Sequence, residues 1–84
     1  MRQTCIDLAV SSVEAIIRKQ LAVARTYSFP AKKVKRSILA AVEDFGFGRG
    51  FLPDEDKVTV ADDLKVASVG IMFCDYRTER LVSA

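Results

Sequence analysis

At 84 residues, half of them apolar, 29% charged and with a net charge of +2, the chain has the size of one domain, near the lower limit of unaided folding. No run approaches the 18 apolar residues that a transmembrane helix needs. The absence of His and a count of only two Cys leave a zinc site within one chain without enough soft ligands and leave no side chain whose ordinary pKa lies near neutrality.

The first predicted element is a long helix over about residues 4–26. Thr4 is placed to cap it, with Asp7 three positions on. Ile6, Val10, Val13, Ile17, Leu21 and Ala24 recur at helical spacing. Ala9, Ile16 and Val23 form a second row beside them, so the apolar face is broader than one packing partner needs. Asp7 and Glu14 interrupt this stretch, which argues against a signal peptide. The expected setting is the cytoplasm, with Cys5 and Cys74 as reduced core residues rather than a disulfide.

Tyr27-Ser28-Phe29-Pro30 stops the pattern, because Pro30 disfavours helical backbone at Phe29 and suits the start of a new helix. The second helix is expected at about 30–45, with Val34, Ile38, Ala41, Val42 and Phe45 as its core face. Its first turns carry Lys32, Lys33, Lys35 and Arg36. Cations there oppose the helix macrodipole, at a cost of a few tenths of a kcal/mol each. Gly46, Gly48 and Gly50 then end the helix and open a loop to about residue 57, with Phe47, Arg49 and Phe51 interleaved. Long ordered loops in small domains are often functional.

The last segment supports two readings. Val60, Leu64, Ala67, Ile71 and Cys74 form one helical stripe, and Val66, Val69, Phe73 and Tyr76 its neighbour, with Arg77 and Arg80 at the favoured C-terminal end. The rival is a hairpin, with Lys57–Val60 and Leu64–Cys74 as strands around Asp62-Asp63. Gly70 and the valines favour it, but Val66 and Val69 would then face opposite ways. The expected fold is therefore all-α: a single domain of three helices at about 4–26, 30–45 and 60–80, packed as a small bundle or an intertwined dimer. The alternative is α+β, two helices followed by a C-terminal β-hairpin.

Charge is unevenly spread. Residues 1–50 hold nine Lys/Arg against four Asp/Glu, and residues 51–84 hold four against seven. The halves are thus at +5 and −3, which suggests an anionic partner or self-association. Together with the broad apolar face of the first helix, this predicts a homodimer.

On a helix Lys32, Lys35 and Arg36 share one face and Lys33 lies on its flank, with Arg18 or Arg25 available to extend the patch. Such a surface neutralises phosphates or meets an acidic protein. Gly46-Phe47-Gly48-Arg49-Gly50-Phe51 is a poor match to a phosphate loop: a helix precedes it, Phe51 stands where a third glycine should be, and no Walker lysine comes after it. As a binding loop, Phe47, Arg49 and Phe51 would be interface anchors. Asp54-Glu55-Asp56 lacks calcium-loop spacing. Ser11, Ser12, Ser37 and both Cys lack a His base, and Asp62-Asp63 diverge on a helix.

The expected function is therefore non-catalytic, without cofactor or metal: a small regulator or inhibitor that binds a protein or a protein–nucleic acid complex. Compact domains of this kind are common among phage and mobile-element proteins that block host machinery. The alternative is a nucleic-acid-binding regulator that uses the basic helix around 32–36. The predicted partner-binding residues are Lys32, Lys33, Lys35, Arg36, Phe47, Arg49 and Phe51.

Overall fold

The computed structural model describes residues 2–74 and 78–84; Tyr76 and Arg77 of the predicted third helix lie outside them. Two helices precede a three-stranded antiparallel meander: α1 (Gln3–Tyr27), α2 (Ala31–Gly46), β1 (Phe51–Val60), β2 (Ala67–Phe73) and β3 (Thr78–Ser83), in sheet order β1-β2-β3. Both helices cover one face of the sheet, α2 mainly over β1 and α1 over β3 and β2.

The helices fall close to where periodicity puts them. α1 buries Ile6, Ala9, Val13, Ile17, Leu21 and Ala24, a stripe repeating every three or four residues. Of the expected second row, Ile16 is only half-buried and Val23 is exposed. Thr4 makes no cap: Arg2 is the N-cap, and Gln3 Nε2 instead donates to Asp7 Oδ1 at 3.0 Å. α1 ends at Ser28, which takes left-handed backbone (φ 55°), and Phe29 N–H closes the turn on the Ala24 carbonyl at 3.0 Å. Pro30 is the N-cap of α2, whose buried residues are Val34, Ile38, Val42 and Gly46.

The expected all-α bundle is wrong, and so is the expected long loop. The fold is α+β, the alternative of the two readings, extended by a third strand. Val66 explains the misreading: it is exposed and lies before the strand, which begins at Ala67. From there the residues alternate between the two faces of the sheet, although Gly70 is buried as well. Ala67, Val69, Ile71 and Phe73 are buried against the helices, whereas Ser68, Gly70 and Met72 point to the other face. Within residues 46–57 only Phe47–Gly50 are turn. The N–H of Arg49 bonds the Gly46 carbonyl at 2.9 Å; Phe47 (φ −61°, ψ 125°) and Gly48 (φ 78°) occupy the central positions of a type II turn. β1 starts at once with Phe51 and is bulged between Asp54 and Val58, where the N–H of Asp56 bonds Asp54 Oδ1 at 3.0 Å.

The core joins the three layers. Phe51 packs between Phe73 and Phe45, with ring centroids 5.9 and 6.1 Å away. Val58, Leu64 and Val82 belong to the same buried cluster as Val13, Ile17 and Ile38. Leu64 adopts left-handed backbone (φ 60°) in the β1–β2 turn, and its carbonyl accepts from Arg25 Nη1 at 2.7 Å. Arg25 therefore ties the end of α1 to the sheet. Asp62-Asp63 belong to this turn rather than to a helix start; Asp63 Oδ1 accepts the N–H of Lys65 at 3.0 Å.

Candidate partner-binding surface

α2 separates its residue types by face. Val34, Ile38 and Val42 are buried, and Lys32, Lys33, Lys35 and Arg36 are all exposed on the opposite side. The basic cluster predicted from sequence is thus brought together as one surface. Pro30, Lys32, Lys33 and Arg36 line an open depression of about 480 Å³ at the start of the helix. A neighbouring depression is lined by Lys32, Lys35, Arg36 and Leu39 together with Glu55 and Asp56 of the β1 bulge. Two acids of the second half of the sequence, Glu55 and Asp56, thus stand beside the basic helix of the same chain. This weakens opposed charge halves as a reason for dimerisation, and it leaves the Lys32–Lys33 end as the more positive one.

That end has two further features. Tyr27 and Phe29 stack in the α1–α2 turn, with centroids 5.7 Å apart and ring planes at 22°. Lys33 Nζ lies 4.0 Å from the Phe29 ring centroid. Tyr27 remains 67% exposed. The N-cap residue, Pro30, offers no side-chain acceptor to the helix. Lys33 and Val34 N–H groups bond the Pro30 carbonyl at 3.0 and 3.2 Å, so the first two N–H groups of α2 point outward, adding to the positive field.

The other predicted residues are not part of this surface. Phe47 is 81% exposed but sits past the far end of α2, roughly 24 Å from its start at 1.5 Å per residue. Arg49 folds back onto the helix end: Nη1 donates to the Phe45 carbonyl at 2.8 Å, and its Cζ lies 4.2 Å from the Phe45 ring centroid. Phe51 is a core residue, only 2% exposed. Its placement among the anchors is corrected by the strand that begins there. Arg25 bonds Leu64 as described, and Arg18 pairs with Glu14 at 3.8 Å, so neither extends the patch freely. Cys5 and Cys74 are free but exposed, not in the core.

Sequence reasoning missed Tyr27 and Phe29 as site residues. The signal was two aromatics a few residues ahead of four closely spaced cations, separated from them by Pro30-Ala31. It also missed the outer face of the sheet, where Leu52, Met72 and Leu81 are exposed and Leu52, Met72, Phe73, Cys74 and Glu79 line a shallow apolar groove. Among the described residues no group of His, Cys, Asp and Glu is arranged to hold a metal ion, and no helix is long and apolar enough to cross a membrane. Comparison with known proteins adds no identity: no family model matches the chain, and neither a curated protein nor a solved structure does.

Proposed function

We propose that this chain is a small, non-catalytic regulatory protein that acts in the cytoplasm by binding a macromolecular partner. The partner is a single-stranded nucleic acid, free or within a protein–nucleic acid complex, held at the basic end of the helical hairpin. One observation carries this reading: the exposed Tyr27 stacks on Phe29, and Phe29 in turn lies under the Nζ of Lys33, which lines the depression with Pro30, Lys32 and Arg36. Phosphates and bases need those two chemistries side by side, cations for the backbone and an aromatic face for a base. Two free, exposed thiols suit a reducing compartment.

A second reading rests on a different surface. Leu52 and Met72, exposed beside each other on the outer face of the sheet, suit an inhibitor that docks on a protein. Affinity purification of the chain from its native host, with and without nuclease treatment, separates the two. Recovery of nucleic acid, or of proteins released by nuclease, supports the first. Protein recovered equally with and without nuclease supports the second.

A further inference from the structure

We infer that the outer edge of β3 is a self-association surface, where the strand pairs antiparallel with β3 of a second copy about a two-fold axis at Leu81. The phase of the ladder determines which groups that edge offers. Ala67 and Ala84 exchange both backbone hydrogen bonds, at 2.9 and 3.0 Å. Antiparallel alternation then directs the backbone groups of Val82 and Arg80 to their partners Val69 and Ile71 on β2. It leaves the N–H and C=O groups of Glu79, Leu81 and Ser83 pointing away from the sheet.

The opposite edge of the sheet is blunted. The Cys74 N–H to Gly50 carbonyl bond, 2.9 Å, sets the phase of β1. Leu52 and Asp54 bond β2, and Pro53 takes an outward position, where its missing N–H removes a donor from the edge. The bulge between Asp54 and Val58 distorts the middle of β1, and Glu55 and Asp56 add charge there. These are ordinary protections against edge pairing. β3 has no proline, no bulge and no lysine, and it carries Leu81 65% exposed at its centre.

Register selects the axis. Pairing centred on Leu81 sets Leu81 against its copy and Glu79 against Ser83, all of them outward-bonding residues, and forms about six new backbone bonds at two per pair. Centring on Glu79 opposes two carboxylates. Centring on Arg80 opposes two guanidinium groups and uses residues already bonded to β2. The Leu81 register also keeps each face of the sheet continuous, because opposed residues point the same way. The groove between α1 and β3, lined by Ile6, Asp7, Val10, Ser11, Arg80 and Leu81, then faces its own copy. It holds one acid and one base, Asp7 and Arg80, so the groove brings no net charge to the pairing.

Sedimentation velocity over a concentration series, with amide hydrogen exchange on the same samples, tests the surface. At high concentration the wild-type mass should approach twice 9.3 kDa, and Leu81→Lys should remain a monomer with an unchanged circular dichroism spectrum. The amides of Glu79, Leu81 and Ser83 should exchange at least tenfold more slowly in the concentrated than in the dilute sample. A wild-type monomer at all concentrations overturns the inference. So does a dimer in which those three amides stay unprotected, which would place the interface elsewhere. Should Leu81→Lys fail to fold, the wild-type exchange pattern decides alone.

Discussion

Lys57 and Glu79 meet across an intervening strand: Lys57 Nζ donates to Glu79 Oε2 at 3.0 Å although one residue is on β1 and the other on β3. The bridge passes over Gly70 of β2, the central strand. A Cβ at Gly70 would come within 2.6 Å of Glu79 Oε1 and 3.1 Å of Lys57 Cβ. The residue that reads in sequence as a weak point in a helix is a strand position kept bare so that two side chains can cross it.

This geometry has a consequence for pH. The hydrogen bond from Lys57 to Glu79, and then the Glu79 charge, raise the Lys57 pKa above its ordinary 10.5. A raised folded-state pKa stabilises the fold fully below the unfolded value, and the stabilisation is lost as pH rises through the folded value. Glu79→Gln should lower the Lys57 pKa toward 10.5, measured by NMR titration of the ammonium group. An unchanged titration in this variant would show that the two side chains do not meet in solution.

Gly70→Ala should lower the Lys57 pKa in the same direction, because the new methyl group occupies the crossing point. Overall stability should change by no more than about 1 kcal/mol, since alanine gains roughly 0.5–1 kcal/mol over glycine inside a strand. Chemical denaturation provides the check.

Gly46→Ala is expected to be far more damaging. A Cβ there runs into the Phe51 carbonyl and meets the Phe51 ring at 3.0 Å. Neither gives way easily, because Phe51 is held between Phe45 and Phe73. A loss of about 1–3 kcal/mol is the usual cost of overpacking. A urea midpoint equal to that of wild type would mean that α2 and β1 do not approach this closely.

Phe47→Ala and Phe51→Ala form a matched pair four residues apart. Truncating buried Phe51 should cost about 3–5 kcal/mol, enough to unfold much of a domain this small. Truncating exposed Phe47 should stay within about 0.5 kcal/mol. Thermal melts of the two variants distinguish core from surface directly.

Period and start position decided which elements were legible in the sequence. α1 and α2 were legible because Val13, Ile17 and Leu21, and then Val34, Ile38 and Val42, repeat over many turns with a proline between them. β2 was hidden by one residue. Counted from Val66, its alternation fails; counted from Ala67, Val69, Ile71 and Phe73 share the buried face with it. β1 was hidden by its bulge and acids, which mimic a loop, and β3 by its short length and its single fully buried residue, Val82. The basic cluster was legible because an exposed helix face needs only local spacing. Arg49 and Phe51 were misassigned because their partners, Phe45 and Phe73, become neighbours only once the turn and sheet form.

Fluorescence anisotropy with a labelled 20-nucleotide single strand over a salt series tests the proposed binding of single-stranded nucleic acid at the Tyr27–Arg36 end of the helical hairpin. Three or four phosphate contacts predict that log Kobs falls with log salt at a slope of about −2 to −3. Tyr27→Ala should weaken binding by about 1–3 kcal/mol. Lys32→Glu with Arg36→Glu should abolish it while preserving the circular dichroism spectrum, because both side chains are exposed. Absence of binding by the folded wild-type chain at low salt, or binding that both variants retain, would contradict the claim.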